Sequence, residues 1–187
     1  MSIRCFVAVE CGGGELTAKF REVRRVLEAT RADIKFVEPE NIHLTLKFLG
    51  EIEQSLVEQV TNVVEGTSFQ PFTARIERVG VFPNLRRPRV VWAGITDGAS
   101  QLEEIWSELD DKLGRLGFER ESRRFSPHLT IGRVRSGRNR DKLVHEVSSL
   151  SDYVFGELHV DRVALKKSVL TPKGPIYTTL AESRVDR

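Results

Sequence analysis

The segment from Asn41 to Gly50 reads N-I-H-L-T-L-K-F-L-G, and a related segment between Ser126 and Arg133 reads S-P-H-L-T-I-G-R. In each segment a threonine stands two residues after a histidine, within a run in which every second residue is apolar. Such alternation predicts a β-strand with one buried face. The chain has four histidines, so the repeated pattern contains half of them.

Side chains alternate along a strand, so His43 and Thr45 are predicted to share one face, with Lys47 beyond them. His128 and Thr130 are predicted to share a face of the second strand. The opposite faces are predicted to pack into the core, and they carry Ile42, Leu44, Leu46, Phe48, Leu129 and Ile131. Each imidazole would then be displayed beside a hydroxyl on a rigid surface.

Strands and helices are interleaved along the rest of the chain. Strands are predicted at 3–9, 42–49, 72–81, 89–95, 127–134, 154–165 and 176–180. Helices are predicted at 15–29 and 141–150, and at two capping-box patterns, Ser55 with Glu58 and Ser100 with Glu103. The two halves repeat each other loosely, which predicts two similar lobes that face each other across a cleft.

The composition is that of a soluble globular protein of one domain, or of two small lobes that share a core. The chain has 187 residues, of which 40% are hydrophobic and 30% charged, and its net charge is +2. Clustered arginines, such as those between Arg133 and Arg140, could hold phosphates or form a solvated surface.

Two cysteines, Cys5 and Cys11, without a CxxC pattern indicate a reducing compartment. The apolar run near Cys5 is too short for a signal peptide or a membrane span, so we expect a cytoplasmic protein.

Two histidines and two threonines on facing strands suit chemistry at a phosphodiester. Histidine titrates near neutral pH, so one ring can act as a general base and the other as a general acid. Threonine hydroxyls and a nearby cation can stabilise the charge that develops on the phosphoryl oxygens. A metal site is the alternative, but neither strand supplies a second metal ligand beside its histidine.

The paired H-x-T-x strands resemble the signature of the 2H phosphoesterases. The chain is most similar to the RNA 2′,3′-cyclic phosphodiesterases of that superfamily, also called 2′-5′ RNA ligases. The likeness covers nearly the whole chain, through R-C-F-V-A-V-E at 4–10, N-I-H-L-T-L-K-F-L-G at 41–50, F-P-N at 82–84, P-R-V-V-W-A-G at 88–94, F-S-P-H-L-T-I-G-R at 125–133 and G-P-I-Y at 174–177.

This resemblance implies an α+β fold of two pseudo-symmetric lobes, each an antiparallel sheet backed by helices, within a single domain that spans 1–187. It implies that both motifs line the cleft between the lobes. It further implies metal-independent opening of a 2′,3′-cyclic phosphate on RNA to a 2′-phosphate, with no cofactor, and 2′-5′ joining of RNA ends in vitro. The substrates would be RNA ends, tRNA fragments among them, and we expect a monomer.

Carried onto this sequence, the resemblance makes His43 and His128 the acid/base pair and Thr45 and Thr130 the phosphate ligands. We expect His128 to activate the water and His43 to protonate the departing 3′ oxygen, although the sequence leaves the order open.

Arg133 closes the second motif as a candidate for neutralising the phosphate. Simple alternation places Arg133 on the opposite face of the strand from His128. Its side chain can reach the site only if the strand has a bulge near Gly132 or if the side chain extends around the strand end. Phe48 and Tyr177 are candidates for base stacking, with core packing as the favoured alternative for each. His145 and His159 lie outside the motifs and are assigned no role.

Two other functions fit the same residues. One is a 2H phosphodiesterase that acts on 2′,5′-oligonucleotides or small cyclic nucleotides. The other is a non-catalytic RNA-binding module, which would not need two titrating groups.

Overall fold

A computed structural model gives the fold, and it describes residues 2–184. This part of the chain forms nine strands, four α-helices and one short 3₁₀ helix at Pro39–Asn41. The strands are β1 (Ser2–Glu10), β2 (Ile34–Phe36), β3 (His43–Glu53), β4 (Phe72–Phe82), β5 (Val90–Ile95), β6 (His128–Val134), β7 (Val154–Val160), β8 (Ala164–Thr171) and β9 (Gly174–Glu182). The helices are α1 (Gly14–Ala29), α2 (Gln54–Glu65), α3 (Ala99–Arg115) and α4 (Arg140–Ser149).

The strands form one antiparallel sheet in the order β7-β4-β5-β6-β3-β1-β8-β9, and β2 pairs with β6 beside this path. The two histidine strands, β3 and β6, lie at its centre and are register partners at Leu44 and Leu129. The strand order is symmetric about this central pair, since three strands lie beyond β6 and three lie beyond β3. The predicted α+β class with antiparallel strands is confirmed.

The helices cover the core face of the sheet because each has one apolar side. In α1 that side consists of Leu16, Phe20, Val23 and Leu27, at the predicted helical spacing. Helix α1 follows β1 in the sequence but packs against β7 in the other half of the sheet, beside α4. Helix α3 follows β5 and packs against β3 and α2. Each half of the sheet is thus covered by one helix that comes from a strand of the other half.

Three sequence predictions of local structure are wrong, and one short strand was not predicted. Helices α2 and α3 begin at Gln54 and Ala99, so Ser55 and Ser100 lie inside the first turn rather than at an N-cap. The predicted strand at 154–165 is two strands, because the chain leaves the sheet between Val160 and Ala164. Strand β2 was missed because three residues are too few to show a period.

Both cysteines are buried free thiols, Cys5 in β1 and Cys11 just after it. No helix in the described part of the chain is long and apolar enough to cross a bilayer.

Candidate active site

The two His-x-Thr motifs meet where β3 and β6 pair at the centre of the sheet. Leu44 and Leu129 are register partners and are completely buried, so their neighbours along each strand point to the opposite, open face. Continuing this antiparallel register places His43 next to Thr130 and Thr45 next to His128. The structure therefore brings the four predicted residues together on one face.

Both histidine rings are held in the same way. The Nδ1 atom of His43 lies 2.8 Å from the carbonyl oxygen of Asn41, and Nδ1 of His128 lies 2.7 Å from that of Ser126. A carbonyl oxygen only accepts hydrogen bonds, so Nδ1 carries the proton in each ring. In the neutral ring, Nε2 is then left with its lone pair, ready to take a proton from a substrate or water.

The two histidines differ in the charges around them. Burial lowers the pKa of each below its ordinary value, and the hydrogen bond to the backbone carbonyl opposes this in each case. Near His43, the charge of Lys166 lowers the pKa further and that of Glu10 raises it. Near His128, the Arg133 guanidinium lowers the pKa. Each histidine thus has a cation nearby that favours its neutral form, and only at His43 does a carboxylate oppose that cation.

A bulge in β3 moves Lys47 and Phe48 to faces opposite to those predicted. Val7 pairs with Lys47 but Ala8 pairs with Thr45, so Leu46 is an extra residue in β3. As a result Lys47 points into the protein and Phe48 lies on the open face, with 66% of its surface exposed. The prediction that Lys47 lines the site and Phe48 packs in the core is wrong, because strict alternation does not survive a bulge.

A matching bulge in β6 brings Arg133 to the side of His128. Val91 pairs with Gly132 but Trp92 pairs with Thr130, so one residue, Ile131, is extra. The charge of Arg133 consequently acts on His128 and also on Tyr177 from β9. This is the bulge near Gly132 that the alternation argument required.

Aromatic rings flank both histidines. In the β3 half, Phe6 and Tyr177 have ring centroids 4.8 and 5.3 Å from that of His43. Phe6 also contacts Phe48, at 6.4 Å between centroids. In the β6 half, the centroid of Phe82 lies 4.9 Å from that of His128. Sequence reasoning assigned no role to Phe6 or Phe82, although both stand in segments that carry the family resemblance.

Sequence reasoning also missed a polar cluster beside His43. Glu10 on β1 is the register partner of His43. It accepts a hydrogen bond from the ammonium group of Lys166, which also donates to the Thr179 hydroxyl at 2.6 Å. The Lys166 side chain is largely buried, so its charge is held in place beside the site.

The other two histidines lie on other elements of the fold. His145 is exposed on α4 and His159 is exposed on β7. Three of the clustered arginines form ion pairs on the surface: Arg120 with Asp111, Arg135 with Asp33 and Arg140 with Asp141.

Comparison with known proteins identifies the family. The family described as LigT like Phosphoesterase matches the chain twice, at residues 13–92 and 95–177, in agreement with two related lobes. The RNA 2′,3′-cyclic phosphodiesterase of Methanothermobacter thermautotrophicus is 40% identical over 187 residues, which is 99% of this chain and 100% of the relative. That of Methanocaldococcus jannaschii is 39% identical over 182 residues, 96% of this chain and 99% of the relative.

Solved structures share the fold over nearly the whole chain. The TT0787 protein of Thermus thermophilus superimposes with a TM-score of 0.79 at 29% identity and covers 96% of each chain. The structure of E. coli LigT complexed with 3′-AMP gives a TM-score of 0.79 at 22% identity and covers 100% of each chain. The protein therefore belongs to the LigT-like family of 2H phosphoesterases.

Proposed function

We propose that this protein is an RNA 2′,3′-cyclic phosphodiesterase that opens the cyclic phosphate at an RNA 3′ end to a 2′-phosphate. The observation that carries this function is the pair of equivalent imidazoles, His43 and His128, whose Nδ1 atoms are both occupied by backbone carbonyls. Two proton-transfer groups on one face are what in-line displacement at phosphorus requires. Relatives with this name match the chain over its full length at about 40% identity.

The reaction needs one proton removed and one supplied. Nε2 of neutral His128 takes a proton from water as the water oxygen attacks phosphorus. The bond from phosphorus to O3′ breaks on the opposite side, and the protonated Nε2 of His43 gives its proton to O3′. The product is a 2′-phosphate, and the two rings return to their starting states by exchanging protons with solvent.

The aromatic residues around His43 support this order of acid and base. Phe6 and Tyr177 stand against His43, and Phe48 extends this aromatic wall into solvent. A terminal nucleoside that stacks on this wall at Tyr177 would place its own O3′ on the His43 side. Water would then approach from the His128 side, where the Arg133 cation favours a neutral ring.

The remaining polar groups would stabilise the transition state. The hydroxyls of Thr45 and Thr130 lie beside the two histidines and would donate hydrogen bonds to the non-bridging phosphoryl oxygens. Arg133 would neutralise the charge that develops there. In this scheme the protein's own side chains supply every proton and every donor, so we propose that it works without a metal or cofactor, as a cytoplasmic monomer.

The test is hydrolysis of a short RNA that ends in a 2′,3′-cyclic phosphate, measured with EDTA present. The wild-type protein is compared with His43→Ala and His128→Ala, and with His145→Ala and His159→Ala as controls that remove exposed histidines elsewhere. The position of the product phosphate is read with a phosphatase specific for one isomer.

We expect a 2′-phosphate product from the wild-type and control proteins, and none from the two site variants. Wild-type turnover that stops on chelation would refute the metal-independent mechanism. Turnover of 2′,5′-linked dinucleotides but not of the cyclic end would instead favour a phosphodiesterase for 2′,5′-oligonucleotides. Binding of RNA without any turnover would favour a binding module.

A further inference from the structure

Strands β3 and β6 diverge beyond the point where they pair, so each has an edge that the other strand does not cover. Different parts of the molecule lie against these two edges. On β6 the edge is covered by β2, whose Phe36 pairs with Gly132 and whose Ile34 pairs with Val134. On β3 the corresponding edge borders a cavity of about 370 Å³ instead. We call this cavity the edge pocket, and it is lined by Lys47, Phe48, Leu49 and Gly50 on one side and by residues 118–122 on the other.

One pair of equivalent positions accounts for this difference. Gly132 and Lys47 each stand four residues after the histidine of their strand. A Cβ atom on Gly132 would lie 2.6 Å from Cγ2 of Ile34, so only glycine lets β2 pack directly against β6. At the equivalent place in β3, the Lys47 ammonium donates to Oδ1 of Asp110 and to the Glu119 carbonyl oxygen, both at 2.5 Å.

The buried ion pair holds residues 118–122 beside β3 without closing the edge. Lys47 and Asp110 have only 5% and 11% of their side chains exposed, so this attachment is built into the core. Asp110 also accepts a hydrogen bond from the backbone N–H of Glu121, at 3.4 Å. The wall of the edge pocket is therefore fixed at both Glu119 and Glu121, and the pocket is a formed feature of the fold.

The chemistry of the edge pocket fits the uncharged part of a nucleotide. Lys47 is neutralised by Asp110, and Arg120 is paired with Asp111 at 2.5 Å. The carboxylates of Glu119 and Glu121 would repel a phosphate. Phe48 offers an exposed ring at the pocket wall for base stacking, and a strand edge presents backbone N–H and C=O groups to a base. A volume of this size lies in the range of ligand pockets.

The position of the edge pocket relates it to the active site. Phe48 lines the pocket and contacts Phe6, which packs on His43. We propose that the edge pocket binds the nucleoside that precedes the cyclic-phosphate nucleotide in the RNA strand. This inference rests on the proposed function, and it makes an oligonucleotide a better substrate than a mononucleotide.

The experiment compares kcat/KM for a 2′,3′-cyclic mononucleotide with kcat/KM for a dinucleotide that ends in the same cyclic nucleotide. We expect the wild-type protein to prefer the dinucleotide about tenfold or more, the contribution of one additional stacked base. Ser122→Phe places a ring in the edge pocket and should bring this ratio close to one. Ser151→Phe, on the exposed turn after α4, is the matched control and should keep the wild-type ratio.

Mononucleotide turnover and circular dichroism in the same variants show whether the fold is intact. Glu121→Trp also places a ring in the edge pocket, from another exposed position on the same wall, and it serves if Ser122→Phe does not fold. We call these two substitutions the filling variants. Equal kcat/KM for the two substrates in the wild-type protein would overturn this inference and leave the proposed function standing. A preference that survives both filling variants would also overturn it, whereas no turnover of either substrate would overturn the proposed function itself.

Discussion

Leu44 and Leu129 are register partners at the centre of the sheet, and neither side chain is accessible to solvent. Through this pair the β3 half of the sheet contacts the β6 half, and His43 and His128 each directly precede one of its members. The relative position of the two catalytic candidates therefore depends on how well these leucines pack.

We accordingly expect Leu129→Ala to lower both stability and activity. Loss of a fully buried leucine side chain lowers the free energy of unfolding by about 2–5 kcal/mol, and urea denaturation would measure this loss. Leu85→Ala removes a leucine that is 46% exposed and should change the free energy of unfolding by less than about 1 kcal/mol. Equal effects of the two substitutions would contradict the central role of Leu129.

Glu10→Gln should change the pH dependence of the reaction through His43. The Glu10 carboxylate raises the pKa of His43 and is paired with Lys166, whose charge lowers that pKa. Removing the carboxylate therefore lowers the pKa of His43, so the ring loses its proton at lower pH. If His43 is the general acid, the alkaline limb of the kcat/KM profile moves to lower pH and the acidic limb stays in place.

Glu108→Gln is the matched control, because it removes one carboxylate from an ion pair with a lysine on the surface of α3. It should leave both limbs unchanged. Movement of the acidic limb in Glu10→Gln would mean that His43 is the general base. A profile that does not move would show that Glu10 has no electrostatic influence on the reaction.

Arg133→Met should lower kcat/KM by about a hundredfold, the typical loss when one group that stabilises transition-state charge is removed. Because the Arg133 charge lowers the pKa of His128, the substitution should also move the limb that reports His128 to higher pH. Arg135→Met, two residues along, removes an arginine that pairs with Asp33 at 3.0 Å and should keep wild-type kcat/KM. Similar losses in both variants would point to a general effect of positive charge.

Much of the fold and the centre of the site follow from sequence patterns, because those patterns are local. The helical spacing of Leu16, Phe20, Val23 and Leu27 predicts α1 to within one residue at its start. Alternation over a few residues correctly places His43 with Thr45 and His128 with Thr130. The proximity of the two strands follows from their repetition and from the family resemblance.

What the sequence did not reveal depends on contacts between distant segments. Alternation fails at Lys47 and Phe48 because the bulge in β3 is visible only in its pairing with β1. The partnership of Glu10 and Lys166 joins residues 156 positions apart in the chain, and no local pattern marks it. Gly132 is needed because β2 packs on it, and β2 itself is too short to be predicted.

The buried pair of Lys47 and Asp110 leads to a final prediction. Lys47→Met leaves the Asp110 carboxylate buried without its cation, which should lower the free energy of unfolding by about 3–5 kcal/mol. The double variant Lys47→Met/Asp110→Leu replaces both charges with apolar groups of similar shape and should recover much of this loss. Urea denaturation of the wild-type, both single variants and the double variant gives the coupling between the two residues.

The double variant also separates stability from substrate binding. Apolar side chains at Lys47 and Asp110 can restore packing, but they cannot hold the carbonyl oxygen of Glu119 or the backbone N–H of Glu121. We therefore expect the double variant to be nearly as stable as the wild-type protein while its preference for a dinucleotide over a mononucleotide is reduced. A double variant that keeps the full preference would show that the ion pair only stabilises the core and does not shape the edge pocket.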